Sequence, residues 1–358
     1  MIKLNINLAE RSYPIYITTD YTGIDKCISN LRVDGKIVVV TDTNVDKYQS
    51  KPFIEALSAT GCNIYKYVIE AGERSKNLDT ISSIYKYLLS IKADRHTILI
   101  ALGGGVVGDI TGFAAATFMR GIGFIQVPTS LLAQADSSVG GKVGVDFEGS
   151  KNIIGAFYQP KFVYINVSSL KTLPERELRS GLAEVIKHGI IMDEEFFEYL
   201  DYSMKKILSC DENILQYLAK VNCSIKGRVV EQDEKESDLR AILNFGHTIG
   251  HAIESVMDFT LLHGECISIG MVGAFRLAQK LEAVNEEVVQ RIIGTFEKAG
   301  LPVRLDGMDV EKVYAQMFLD KKIKNNKLMF ILPKKIGEVI QYSINDEGLI
   351  KSVLSELS

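Results

Sequence analysis

No two cysteines of this 358-residue chain stand in CxxC spacing. The five, Cys27, Cys62, Cys210, Cys223 and Cys266, are scattered and odd in number. That argues against a disulfide framework or a cysteine-held metal, and points to reduced thiols in the cytoplasm. An excess of basic charge is also missing. The 41 lysines and arginines face 45 aspartates and glutamates, for a net charge of −4, so a surface devoted to nucleic acid is not expected. The start, MIKLNINLAERSYPIYI, lacks the apolar core and cleavage site of a signal peptide. One run, Thr97–Phe118 (TILIALGGGVVGDITGFAAATF), has the length of a membrane span. Asp109 and three consecutive glycines mark it instead as a buried strand, loop and helix. There is no internal repeat, low-complexity tract or flexible linker.

What is present suits a globular protein with a large core: 46% of residues are hydrophobic and 24% charged. Residues 1–19 alternate apolar and polar, as hairpin strands do. KIVVVT (36–41), NIYKYVI (63–69), TILIAL (97–102), GFIQVP (123–128) and FVYINV (162–167) are further strand candidates, separated by helical or loop stretches. That succession predicts an open parallel sheet covered by helices. From Pro174, placed in a first helical turn with Thr172 as a nearby cap, the pattern becomes helical. Helices are expected over 175–192, 194–208, 211–230, 245–258, 264–282 and 285–299, with a late hairpin at 327–333 and 338–343. The expected division is an α/β domain over 1–170 and a mainly helical domain over 171–358.

TILIAL runs directly into GGGVVGD (103–109). Glycines after a buried strand let the backbone approach a pyrophosphate, and the next helix offers its N–H groups to the anion. The spacing is GGGxxG rather than GxGxxG, so the usual dinucleotide fingerprint is not met. The glycines could equally serve close helix–strand packing. Asp42 and Glu70 end earlier strands and could meet ribose hydroxyls or be plain loop acids.

Histidine is rare, and three of the five lie close in sequence: His247 and His251 in LNFGHTIGHAIE, and His263 in LLHGECISIG. Four residues apart on a helix, His247 and His251 share a face. Glu184, with Lys187 one turn on, sits in GLAEVIKHG. A carboxylate with two or three imidazoles can hold a divalent ion and leave a position open for substrate. Spacing does not say which two imidazoles bind. His188 is expected to be structural and His96 to lie in a loop. Lys142 and Lys151 fall in glycine-rich loops, while Lys226 and Arg240 precede the histidine helix. Together with Arg120 and Lys327, these cations suit a substrate bearing more than one anionic group.

GGGVVGDITGFAAATFMRG, VPTSLLAQADSSVGGKVGVD, GLAEVIKHG, VVEQDEKE and LNFGHTIGHAIE together resemble the 3-dehydroquinate synthase family, in the same order and over nearly the whole chain. The resemblance implies a Rossmann-like α/β domain with a parallel sheet that binds NAD, followed by a mainly α-helical metal-binding domain. It implies a cytoplasmic homodimer without nucleic-acid or membrane partners, using Zn2+ or Co2+. The reaction implied converts the phosphorylated sugar acid 3-deoxy-D-arabino-heptulosonate 7-phosphate to 3-dehydroquinate and phosphate. Its steps would be transient oxidation by NAD, β-elimination of phosphate, re-reduction and an internal aldol closure.

By the same resemblance Glu184, His247 and His263 would be the metal ligands, with His251 lining the site. Lys142, Asn152 and Lys327 would bind the phosphate, aided by Arg120 of the other subunit. Arg240 and Lys226 would hold the carboxylate, and Lys187 and Asn244 the hydroxyls. NAD would lie along Asp42, Asn44, Glu70, Glu73 and Lys76. It would continue along Gly105, Val106, Val107, Gly108 and Asp109, then Thr129, Ser130, Asp136, Lys142 and Lys151, and finally Ser169, Thr172, Leu173 and Glu177. Ser130 departs from the family's usual threonine but keeps a hydroxyl. The alternatives are another sugar-phosphate cyclase, such as 2-deoxy-scyllo-inosose synthase, or a metal-dependent polyol dehydrogenase. Arg240, Asn244 and His251 fit the dehydroquinate type.

Overall fold

The β-branched runs of the N-terminal half form strands β1 (Ile2–Ile6), β2 (Tyr13–Thr18), β3 (Lys36–Asp42), β4 (Asn63–Ile69), β5 (Ile98–Gly103), β6 (Phe124–Pro128), β7 (Lys142–Phe147), β8 (Ser150–Phe157) and β9 (Val163–Asn166). Later come β10 (Ile323–Lys324), β11 (Lys327–Lys335) and β12 (Glu338–Ile344). The helices are α1 (Ile24–Ser29), α2 (Thr43–Val45), α3 (Lys51–Leu57), α4 (Leu78–Ser90), α5 (Gly105–Thr117), α6 (Glu175–Met192) and α7 (Glu194–Leu208). They continue with α8 (Glu212–Gln232), α9 (His247–Val256), α10 (His263–Lys280), α11 (Glu286–Ala299), α12 (Val310–Met317) and α13 (Glu347–Glu356). The computed structural model describes residues 1–31, 35–236, 239–258, 260–318, 323–324 and 327–358, without the side chains of 323, 324 and 327.

The first of two units comprises Met1–Leu173 and Glu212–Glu231. Its sheet has seven strands in the order β1-β2-β9-β6-β5-β3-β4. All neighbours run parallel except β1 and β2, which form the hairpin expected from residues 1–19. Both faces are covered. Along β3 the side chains alternate: Val38 and Val40 pack with Ile110 and Phe113 of α5, while Ile37 and Val39 pack with Phe53 and Leu57 of α3. A strand buried on both faces explains why the run reads as continuously apolar.

Two features of this unit differ from expectation. The glycine-rich stretch after Gly140 is an antiparallel hairpin, β7–β8, rather than loops. Helix α8, assigned by chain order to the second half, belongs almost wholly to the first unit. Its Cys223 Sγ donates to the Gln134 carbonyl at 3.5 Å, and its Glu212 carboxylate accepts from Ser168 Oγ at 2.6 Å.

The second unit comprises Pro174–Asp211 and Gln232–Ser358. It contains α6, α7 and α9–α13 with the antiparallel sheet β10-β11-β12. The expected helices and late hairpin are present, and α12 and α13 are additional. Pro174 is the residue before α6 rather than its first turn, and Thr172 does not cap that helix. The Thr172 hydroxyl donates instead to Ser169 O at 2.9 Å.

Candidate metal centre and cofactor loops

Helix α6 turns Glu184 and Lys187 inward, each 1% exposed. Lys187 Nζ donates to Glu184 Oε2. The other oxygen, Oε1, faces the Nε2 atoms of His247 at 3.9 Å and His263 at 3.8 Å. It is buried and has no hydrogen-bond partner among the described residues. An unpaired buried carboxylate oxygen is costly unless a cation meets it. Glu184, His247 and His263 each offer a ligand atom, all within 4.8 Å of one another. Separations near 4 Å are what two metal–ligand bonds of about 2 Å can span. The donor set and its orphaned oxygen therefore fit a divalent ion.

The local fold delivers these atoms. His247 opens α9, and its Nδ1 lies 2.9 Å from the Phe245 carbonyl. A carbonyl only accepts, so this contact places a proton on Nδ1 and leaves Nε2, the nitrogen nearer Glu184, as the one that would ligate an ion. His263 opens α10, and its Nδ1 lies 3.5 Å from Glu254 Oε2. Burial alone would lower the His263 pKa; Glu254 and then Glu184 outweigh it and raise it above the ordinary histidine value. Next in the chain, Gly264 lies so close to α6 that a Cβ would stand 1.9 Å from the Ser180 carbonyl. That approach sets His263 beside the helix of Glu184.

Four-residue spacing left the choice of imidazoles open. The geometry groups His247 with Glu184 and His263, and groups His251 with Glu254 and the same His263. Glu254 is the residue that sequence reasoning missed. It closes the LNFGHTIGHAIE stretch three residues after His251, on the shared helical face. His188 is fully buried and His96 is exposed in a turn, as expected.

Arg240 and Asn244 lie on a 3-10 turn, Leu239–Asn244. Arg240 is 2% exposed; its backbone N donates to Asp233 Oδ2 at 3.0 Å and its Nη1 to Glu234 O at 2.6 Å. Asn244 Nδ2 donates to Glu236 Oε1 at 3.2 Å. Lys327 lies outside the residues whose side chains are described.

In the first unit, β5 ends at Gly103, Gly104 precedes α5, and the backbone of Gly105–Gly108 forms the first helical turn. The packing alternative is partly right: a Cβ on Gly108 would stand 2.8 Å from Gln126 Oε1. Gly104 and Gly105 are looser, at 3.4 and 3.3 Å from the Ser130 and Ser137 hydroxyls. Asp109 pairs with the buried Lys76 at 2.6 Å. Burial opposes charge on Lys76, but Asp109 and Glu73 overcome it and raise its pKa. Asp42 is both a strand end and a cap, accepting from Asn44 N and Val45 N at 2.9 Å. Glu70 accepts from Thr43 Oγ1 at 3.4 Å.

Lys226 on α8 meets Asp136, its Nζ 2.6 Å from the carbonyl and 2.7 Å from Oδ1. Ser130 Oγ accepts from Ala133 N at 3.3 Å, and Thr129 N donates to Gly103 O at 3.0 Å. Ser169 is buried, its Oγ donating to Asn166 O at 2.7 Å, and it lines a cavity of about 530 Å3 with Tyr21, Gln49 and Asn166. Glu73, Thr172 and Glu177 are exposed, Glu177 on the first turn of α6. Lys142, Lys151 and Asn152 are exposed on the β7–β8 hairpin, where Asn152 N donates to Asp146 Oδ1 at 2.7 Å and Asp146 N to Lys76 O at 2.9 Å. Met119 and Arg120 are consecutive left-handed residues, at φ 50° and 66°, which presents Arg120 on a strained turn.

Residues 66–180 match the family model for the 3-dehydroquinate synthase N-terminal region, and residues 181–323 that for its C-terminal region. The chain belongs to the 3-dehydroquinate synthase family. A 3-dehydroquinate synthase of Acetivibrio thermocellus is 68% identical over 358 residues, covering 100% of this chain and 99% of the relative. One of Ruminiclostridium cellulolyticum is 60% identical, covering 100% of both. Among solved structures, 2-deoxy-scyllo-inosose synthase complexed with carbaglucose-6-phosphate, NAD+ and Co2+ superposes with a TM-score of 0.91 at 25% identity, over 100% of both chains. The 3-dehydroquinate synthase family thus shares its architecture with a neighbouring cyclase, while the sequence separates the two.

Proposed function

We infer that the chain converts 3-deoxy-D-arabino-heptulosonate 7-phosphate to 3-dehydroquinate and phosphate, with NAD and a divalent metal as cofactors. The observation that carries this is the unbroken match to both family regions, with relatives at 68% and 60% identity over the full length. The cyclase that superposes so well is only 25% identical, so an inosose-forming activity has less support. No helix among the described residues is long and apolar enough to cross a membrane.

Glu184, His247 and His263 would hold the ion, taken to be Zn2+ or Co2+; their clustering and the orphaned Glu184 oxygen support this. When bound, the ion supplies Lewis acidity at a substrate oxygen, and NAD accepts and returns a hydride. Lys187, which donates to Glu184, would also donate to a substrate hydroxyl, joined by Asn244 and His251. Arg240 would take the carboxylate, its backbone and Nη1 already fixed by Asp233 and Glu234. Lys226 would assist Arg240. Lys142 and Asn152 would bind the phosphate, with Arg120 contributed by the second subunit of a homodimer. Phe147, Ile153 and Phe157 are each exposed on the β7–β8 hairpin and are apolar side chains that such a dimer would cover. NAD would lie along the Gly105–Asp109 backbone at the start of α5, with Asp42 at its ribose. A cytoplasmic location suits a chain whose five cysteines are scattered, odd in number and without CxxC spacing.

The test is phosphate release from the 7-phosphate heptulosonate with catalytic NAD and added Zn2+, followed alongside NADH absorbance. Phosphate and a carbocyclic product without net NADH is the expected result, lost in Glu184→Gln. Steady NADH from simple polyols without phosphate release would make the protein a dehydrogenase instead.

A further inference from the structure

We propose that Glu254 is a positioning residue of the metal centre: its carboxylate holds Nδ1 of His263 and thereby presents Nε2 to the point shared with Glu184 and His247. This rests on the metal assignment above and names the group that fixes its third donor. Each donor then has its own second partner. Glu184 is held by Lys187, His247 by the Phe245 carbonyl, and His263 by Glu254 at 3.5 Å. His263 has the greatest need of one. It is the first residue of α10, and its side chain is 30% exposed against 10% for His247, so packing restrains it least.

The Glu254 side chain is 9% exposed. A carboxylate at that depth is expensive without a partner, and an imidazole N–H is a suitable one. An acceptor at Nδ1 selects the tautomer with its lone pair on Nε2. A carboxylate acceptor also makes that lone pair more basic than a carbonyl would. Helix periodicity allows the arrangement, because Glu254 follows His247 by seven residues and lies on its face of α9. His251, Glu254 and His263 also lie within 4.8 Å of one another, so Glu254 as a direct ligand is the competing assignment.

The experiment uses the full chain as wild type, Glu254→Gln, Glu254→Ala and Glu184→Gln. Each is stripped by a chelator and titrated with Co2+ against a chromophoric competitor, while the visible Co2+ spectrum and the melting of the metal-free form are recorded. A positioning role predicts that Glu254→Ala weakens Co2+ binding about 10- to 100-fold. Glu254→Gln, which keeps an acceptor, should weaken it less, with the wild-type ligand-field bands retained when saturated. A general packing defect would lower metal-free melting without that graded order. Wild-type affinity in both Glu254 variants, with binding lost in Glu184→Gln, overturns the proposal alone. Binding lost in Glu254→Gln but kept in Glu184→Gln makes Glu254 a ligand and overturns both assignments. A wild-type chain that takes up no Co2+ removes the metal centre and the proposal with it.

Discussion

The two oxygens of Glu184 face different partners, Oε2 the Lys187 ammonium and Oε1 the two imidazoles. Removing the acid therefore removes more than a ligand. Glu184→Ala leaves Lys187, 1% exposed, as a buried charge without its acid, which should cost about 3–5 kcal/mol even without metal. Glu184→Gln keeps a side-chain acceptor and should cost clearly less, and adding Lys187→Met to Glu184→Ala should recover part of the loss. Urea unfolding of the chelated proteins measures all three. Equal stability of the Ala and Gln variants would show that Lys187 does not depend on this acid. The same residues show what was legible in sequence. Glu184, His247 and His263 announced themselves by donor type; their grouping came from the family resemblance and not from spacing, because the decisive distances join α6, α9 and α10 across nearly 80 residues of chain. Glu254 was passed over because an acid at the end of a helical stretch ordinarily faces water.

At the scale of elements, glycine reads differently in sequence and in structure. Gly140, Gly141, Gly144, Gly149 and Gly155 made the stretch from 140 to 155 look like loops. In the hairpin Gly144 and Gly155 are direct partners, and a Cβ on either would meet the opposite strand's carbonyl at 2.6 or 2.4 Å. Glycine in a strand thus marks close backbone approach, which local propensity does not register. Helix glycines differ in the same way. Gly264→Ala must push α10 from the Ser180 carbonyl of α6, and should cost about 1–3 kcal/mol with weaker metal binding, since His263 moves with it. Gly294 on α11 has nothing among the described residues within 4 Å of where a Cβ would stand, so Gly294→Ala should stabilise by about 0.5–1 kcal/mol. Paired denaturation curves decide it: two shifts of the same sign would mean that contact at Gly264 is not what constrains that position.

The order of elements along the chain carried the seven-stranded sheet and the change to helices, because hydrophobic period is a local signal. It did not carry the return of α8 to the first unit, which rests on non-local contacts such as Cys223 with Gln134 and Lys226 with Asp136. The division that results has a consequence for ligand linkage. All three proposed metal ligands belong to the second unit, whereas the glycine turn before α5 belongs to the first. A ligand stabilises what it binds by RT ln(1 + [L]/Kd), about 2.7 kcal/mol at a hundredfold excess over Kd. Local openings that break a binding site should feel that term, and those elsewhere should not. Chelating the metal should therefore speed amide hydrogen exchange by up to about a hundredfold in α6, α9 and the start of α10, and leave β3, β5 and the start of α5 nearly unchanged. Adding NAD to the chelated protein should slow exchange at β5 and α5 first. Mass-resolved exchange on peptides from the two units gives both profiles in one experiment. If metal removal instead loosened β5 and α5 as much as α9, the two units would open as one and the division of ligands between them would have no separate effect on stability.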